Sequence, residues 1–168
     1  MVSSFKKSLD FLIRSKEFKG WKKNSEDSYL ADGFIMLNDN YKEKLDNLEW
    51  QIDFYSPKKD LMTSFFIKDK NISLEEKQKI LKEEHEAIKE LNLDKLKINL
   101  KDALAKIEKK YPKDIPSKVI IILQDIHVPL WNITFLTNSF NMLNVNIDAE
   151  NGKIIKESIM PFFEKFKK

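Results

Sequence analysis

The sequence contains no cysteine, which excludes disulfides, thiolate nucleophiles and cysteine-ligated zinc or iron–sulfur sites. Glycine is also scarce, and three glycines are too few for the loops that cradle dinucleotides. No serine has the glycine-flanked context of a nucleophile elbow, and the adjacent acidic pairs diverge around a helix. We therefore expect a protein without enzymatic activity, cofactor or metal.

Histidine is nearly absent, with two residues in the chain. Asp125 and His127 are two positions apart, so a strand would project both to one side, but a metal site needs a third ligand. His85 lies among glutamates, which could raise its pKa or hold a cation with it. For both histidines we favour a solvated position over a ligand or catalytic role.

Charge of one sign is not in excess, because 30 basic residues face 27 acidic ones and leave a net charge of +3. Lysines alternate with acidic residues along the chain, and Arg14 is the single arginine. Nucleic-acid binders concentrate basic residues on one face and use arginine for bidentate contacts. We therefore expect no nucleic acid among the partners.

Long apolar runs are missing as well. The first residues never reach the uninterrupted apolar stretch of a signal peptide, and no later stretch is long enough for a spanning helix. The expected location is the cytoplasm. A chain of 168 residues with 42% hydrophobic content is sufficient for one compact domain, and we expect residues 1–168 to form it.

Two stretches of the chain are similar to each other. Trp50–Phe54 with Leu61–Ile67, and Trp131–Phe135 with Leu143–Ile147, each predict a β-hairpin with an aromatic and aliphatic inner face. Such internal similarity predicts an architecture that is built twice. We take residues of about 1–70 as a first pseudo-repeat.

Helices are predicted around these hairpins. Apolar spacing favours helices over residues 3–19 and 99–110. Ser73 and Glu76 fit a capping box that would begin a connector helix over about 73–91. Residues of about 158–168 predict a terminal helix, with Pro161 in its first turn.

The second half resembles the PepSY domain family over residues of about 93–157. The resemblance is carried by the helix motif that begins at Ile98, by the Trp131–Phe135 strand and by the turn Asp148-Ala149 with Gly152-Lys153. It implies an α+β fold in which helices pack on one face of an antiparallel sheet, as in the tandem-repeat β-lactamase inhibitor protein. With the first half as a degenerate copy, the expected fold has two helix-plus-three-strand units.

Alternation also predicts a second sheet face, opposite the face that carries the tryptophans. We name as its candidate interaction residues Met62, Phe66, Ile120, Ile122 and Met142. We favour coverage of this face by the connector and terminal helices, with exposure for a partner as the alternative. For Trp50 and Trp131 we favour a place in the core, with an aromatic ligand groove as the alternative.

The resemblance implies a non-catalytic module, and we expect a binding or regulatory protein that recognises a protein or peptide. The alternative is a peripheral membrane-associated protein, in which Phe162, Phe163 and Phe166 of the terminal segment contact the lipid surface. We favour docking of that segment on its own protein. A homodimer through an exposed sheet edge remains open at this stage.

Overall fold

The structure is a computed structural model that describes residues 3–77 and 87–162. Its centre is one antiparallel sheet of eight strands in the order β4-β3-β2-β1-β5-β6-β7-β8. The strands are β1 Tyr29–Asn38, β2 Gln51–Ser56, β3 Leu61–Lys68, β4 Asn71–Lys77, β5 Pro116–Asp125, β6 Pro129–Thr137, β7 Asn141–Asp148 and β8 Ile154–Pro161.

Four α-helices occur in the described residues, and all of them pack on the same face of this sheet. They are α1 Ser4–Arg14, α2 Lys16–Lys22, α3 Tyr41–Lys44 and α4 Leu100–Lys110. Ser15 ends α1 and begins α2, because its hydroxyl donates to the Leu12 carbonyl at 2.6 Å and accepts from the Phe18 amide at 3.1 Å. The single helix predicted over 3–19 is therefore two helices joined at a serine cap. Within the part of the chain that is described, no helix is both long and apolar enough to cross a membrane.

The two halves of the chain meet at the centre of the sheet. β1 pairs with β5 in antiparallel register, so that Phe34 lies opposite Ile122 and Met36 opposite Ile120. The other strands follow outward on each side by consecutive hairpins. A single core cluster runs through both halves, and its largest fully buried side chains include Trp50, Trp131, Phe5, Phe65 and Phe135.

The predicted α+β class, with helices packed on an antiparallel sheet, is confirmed. Each half contributes four strands, one more than predicted, because β4 and β8 add an outer strand at each edge. β4 occupies a segment for which the sequence pattern favoured a helix, whereas for β8 the pattern predicted a short edge strand over 153–156 and a helix only from Ser158.

The connector helix predicted over 73–91 is wrong in the described residues. Residues 71–77 form β4, and residues 87–91 are not helical. The turn before β4 explains the difference, because Asp69 and Lys70 both have positive φ, at 48° and 64°, as a two-residue hairpin of type I′ requires. The chain must therefore return beside β3, which places Leu74 opposite Phe65. Residues 78–86 of the predicted helix, including His85, lie outside the described residues.

The terminal helix predicted over 158–168 is wrong up to Pro161, because these residues belong to β8. β8 pairs with β7 from Ile154 to Pro161, and the Phe162 amide continues the pairing by donating to the Phe140 carbonyl at 2.8 Å. Pro161 lacks an amide donor, but an edge strand tolerates this because one side of it needs no ladder bond. Residues 163–168 lie outside the described residues.

Candidate interaction face

The helix-covered face of the sheet holds the two tryptophans of the proposed ligand groove. Trp50 is 0% exposed and Trp131 is 1% exposed, and their ring centroids are 6.2 Å apart. The Trp131 indole N–H donates to the Ile98 carbonyl at 2.9 Å. The groove alternative is therefore wrong, since the rings fill the core and neither presents a surface to a ligand.

The opposite face carries all five residues that the sequence named as an interaction face. Along β5, Ile120 and Ile122 are partly exposed and alternate with Val119, Ile121 and Leu123, which are 0% exposed. Met62, Phe66 and Met142 are also partly exposed on this face. None of the four described helices lies on it, so we call it the helix-free face.

β1 adds two apolar residues to the helix-free face that the sequence analysis missed. Phe34 is partly exposed, and Met36 is 52% exposed. β1, like β5, has apolar residues on both of its faces. Because β1 and β5 are the central strands, Phe34, Met36, Ile120 and Ile122 form an apolar patch in the middle of the sheet.

A hollow of about 200 Å³ opens beside this patch. Side chains of Phe34, Met36, Gln51 and Phe66 lie around it, together with Glu49. Its size suits one aliphatic or aromatic side chain, which is the kind of anchor that protein interfaces bury at their centres.

Asparagines continue the helix-free face on β6 and β7. The Asn144 side-chain amide donates to Asn132 Oδ1 at 2.7 Å and to Thr134 Oγ1 at 2.9 Å. Asn146 Oδ1 is shielded from solvent and accepts no hydrogen bond within the described residues. An unsatisfied acceptor of this kind is costly, and native proteins rarely retain one without a reason.

Acidic and amide groups occupy another part of the face. The Gln51 amide nitrogen lies 3.0 and 3.1 Å from the two carboxylate oxygens of Asp53, which is only 8% exposed. Asp32 lies directly opposite Asp53 across the β1–β2 pair. Within the described residues, no group of three or more acidic or histidine side chains could hold a metal ion.

The Asp125–His127 pair does not converge on a site. His127 has a φ of 85° in the β5–β6 turn, and its Nδ1 lies 3.3 Å from Lys89 Nζ. Asp125 is at the end of β5, opposite Pro129. His127 is exposed in this turn, whereas Asp125 is partly buried and its Oδ1 is shielded from solvent without a hydrogen-bond partner within the described residues.

Two similar tyrosine–glutamate–lysine clusters connect α4 to its neighbours. Tyr111 donates to Glu157 of β8, and Lys110 Nζ lies 2.6 Å from the same carboxylate. The hydrogen bond to Glu157 is the largest cause that raises the pKa of Tyr111, to about 12, while Lys110 and Tyr111 lower the pKa of Glu157. These contacts hold the edge strand against α4, and we assign them a structural role.

The second cluster is formed in the same way by Tyr41, Lys42 and Glu108. Tyr41 donates to Glu108 of α4, and Lys42 Nζ lies 3.1 Å from that carboxylate. Burial, with the nearby carboxylate, raises the pKa of Tyr41 above its usual value. This cluster fixes α3 on α4, so both tyrosines act as protonated hydrogen-bond donors at neutral pH.

The turn from Asp148 to Lys153, which carries the family resemblance, has a structural role. Asp148 Oδ1 accepts from the amides of Glu150 and Asn151 at 2.8 and 3.2 Å, and Gly152 has a φ of 77°. The carbonyl of Ala149, which is fully buried, accepts from the Lys97 and Ile98 amides at 2.9 and 2.8 Å. The motif therefore joins β7 and β8 to the segment before α4.

The aromatic residues of the proposed membrane contact are described only in part. Phe162 is partly buried at the end of β8, whereas Phe163 and Phe166 lie outside the described residues. The amphipathic helix on which the membrane alternative depended is replaced by a strand up to Pro161. The described residues therefore give this alternative no specific support.

Comparison with known proteins agrees with the second half of the fold. Residues 97–157 match the family model of PepSY, the peptidase propeptide and YPEB domain. This segment covers α4 and β5 to β7 and ends in β8, and it confirms the resemblance drawn from residues 93–157. No curated protein matches the chain.

One solved structure has a similar fold. The crystal structure of a protein from Clostridium difficile 630, described as a putative lipoprotein, aligns with a TM-score of 0.53 at 14% identity. The alignment covers 86% of this chain and 90% of that chain. At this identity the likeness concerns the fold alone, and it extends over both halves of the sheet. A PepSY segment in such a fold fits a non-catalytic module.

Proposed function

With a PepSY segment forming one half of the sheet, we propose that this protein is a non-catalytic binding or regulatory module. Its partner, a protein or a peptide, docks on the helix-free face. The observation that carries the proposal is the apolar patch of Phe34, Met36, Ile120 and Ile122, which lies at the centre of the sheet and is partly exposed.

Exposure of this patch needs a reason because β1 and β5 are the innermost strands. Antiparallel sheets with one solvated face usually alternate apolar and polar residues, and these two strands do not. Met36 is 52% exposed and Ile120 lies directly opposite it. A contiguous apolar patch with a hollow beside it is typical of a docking surface, whereas single apolar residues on a surface are ordinary.

The test compares two variants of the intact chain in an affinity capture from a lysate of the source organism. Met36→Asp places a charge in the patch, and Ile115→Asp is the matched control, because Ile115 is 61% exposed in the loop before β5. Circular dichroism and urea unfolding establish that both variants are folded. The expected result is a protein captured by the intact chain and by Ile115→Asp but lost with Met36→Asp. Equal capture by both folded variants would contradict docking on this face.

A further inference from the structure

We propose that the helix-free face binds an extended peptide segment that crosses strands β1, β5, β6, β7 and β8, with an apolar side chain over β1 and an acidic side chain over β8. This inference deepens the proposed function and depends on it.

The strand registers align five residues in a straight line across these strands. Phe34 lies opposite Ile122, Ile122 opposite Asn132, Asn132 opposite Asn146, and Asn146 opposite Lys156. We call these five residues the cross-strand row. Along the row the side chains change from apolar to amide and then to cationic.

The neighbouring line of residues repeats this order without the charge. It consists of Met36, Ile120, Thr134, Asn144 and Ser158, which are also directly opposite one another. Together the two lines form a strip that is apolar over β1 and β5 and polar over β6 and β7. A bound segment that lies along the strip would therefore meet apolar and hydrogen-bonding groups in sequence.

The amides of the strip have unused hydrogen-bonding capacity. The two side-chain N–H groups of Asn144 are engaged by Asn132 and Thr134, whereas Asn132 Nδ2 and Asn144 Oδ1 have no partner within the described residues. A side-chain amide offers a donor and an acceptor, and a peptide main chain offers the complementary pair at every residue.

Lysine side chains determine which charge a bound peptide should carry at the β8 end of the strip. Lys156 is exposed at the end of the cross-strand row, and Lys118 is exposed on the same face of β5. Neither lysine has an ion-pair partner within the described residues, and the two lines that form the strip contain no acidic residue. The strip therefore favours a segment that brings a carboxylate toward β8 and disfavours a basic one.

The spacing of these groups sets the spacing expected in the peptide. Five neighbouring strands are separated by four intervals of about 4.8 Å, so the strip is about 19 Å long. An extended chain advances by about 3.3 Å per residue, which gives about six residues from one end to the other. We expect an apolar anchor over Phe34 and Met36 of β1, followed at that distance by Asp or Glu.

The experiment selects ligands from a phage-displayed library of random 12-residue peptides, with the full chain as the target. Enriched peptides are synthesised, and their dissociation constants are measured by fluorescence anisotropy. The expected peptides have a large apolar residue and an acidic residue about five or six positions apart. Failure to enrich any peptide, or enrichment of peptides without this pattern, would overturn the inference.

Three changes then test the recognition of the main chain and of the charge. Asn132→Ala, or methylation of one central peptide nitrogen, should weaken binding about 5- to 10-fold, as expected for one hydrogen bond. Lys156→Glu should weaken binding of the acidic peptide. Binding to this variant should be restored when the peptide's acidic residue is replaced by Lys. Asn138→Ala and Lys113→Glu are the matched controls, because both residues are exposed in turns away from the strip.

The outcomes separate this inference from the proposed function. If the peptides lose affinity for Met36→Asp but bind Asn132→Ala and Lys156→Glu as tightly as the intact chain, the face is a docking surface and the strip is not its specificity element. If the peptides bind Met36→Asp equally well, both the inference and the docking face are wrong.

Discussion

Trp50 and Trp131 lie in contact in the middle of the core, with ring centroids 6.2 Å apart and planes inclined at 42°. Each comes from the strand pattern that first suggested a duplicated architecture. Trp50 precedes β2 in the first half and Trp131 lies in β6 of the second. Their contact connects the two halves on the helix-covered side of the sheet.

Truncation of one tryptophan of this pair should destabilise the whole protein. Trp131→Ala removes a fully buried ring and the hydrogen bond to the Ile98 carbonyl. We expect the free energy of unfolding in urea to fall by about 3–5 kcal/mol. Ile115→Ala, at a position that is 61% exposed, should change it by less than about 0.5 kcal/mol. A similar small effect of both substitutions would contradict the core assignment.

Gly33 is required by the close approach of α1. A Cβ atom built at Gly33 would lie 2.3 Å from Cε2 of Phe5, so the buried ring must shift. We expect Gly33→Ala to lower the free energy of unfolding by about 1–3 kcal/mol. Gly20→Ala is the matched control, because nothing lies within 4 Å of its Cβ and alanine favours the helix. If Gly33→Ala were as stable as the intact chain, α1 could not pack as described.

The β3–β4 turn provides a test of the strand that replaced the predicted connector helix. Lys70 has a φ of 64°, which glycine adopts without strain. Lys70→Gly should therefore stabilise the protein by a few tenths to about 1 kcal/mol. Lys68→Gly, inside β3, should destabilise it by about 0.5–1 kcal/mol. Destabilisation by both substitutions in urea would argue against this hairpin.

The PepSY turn should depend on the Asp148 side chain as an acceptor. Asp148→Ala removes the acceptor for the Glu150 and Asn151 amides, and we expect a loss of about 1–2 kcal/mol in the free energy of unfolding. Asp148→Asn keeps a side-chain oxygen and should retain most of that stability. If the asparagine variant is as unstable as the alanine variant, the negative charge matters more than the hydrogen bonds.

Stability at high pH should depend on Tyr111. Its pKa is raised from 10.0 to about 12 in the folded protein, so the folded state binds the phenolic proton more tightly than the unfolded state does. The stabilisation is fully present below pH 10 and is lost as the pH rises from 10 to 12. Urea unfolding of the intact chain across this range should show the loss, and Tyr111→Phe should reduce it. Parallel curves for the two proteins would contradict the hydrogen bond to Glu157.

The sequence determined the features that depend on neighbours along the chain. The alternation Trp131-Asn-Ile133-Thr-Phe135 fixed which side chains of β6 enter the core, because successive residues of a strand point to opposite faces. Asn99 marked the beginning of α4, where its side chain accepts from the Asp102 amide at 2.9 Å. Asp148 and Gly152 marked the turn that the family model also recognises.

Tertiary structure decided the identity of β4 and β8, and with them the two edges of the sheet. Residues around Ser73 match the sequence pattern of a helix cap. They nevertheless pair with β3, because the Asp69–Lys70 turn returns the chain beside that strand. The residues from Ser158 to Pro161 likewise pair with β7. Short segments with mixed apolar and charged residues are compatible with both helix and strand, and the cooperative pairing with an existing strand outweighs the small differences in local propensity. The pairing of β1, β5, β6, β7 and β8 also aligned one residue from each strand in a row, which no pattern within a single strand could reveal. These residues are Phe34, Ile122, Asn132, Asn146 and Lys156.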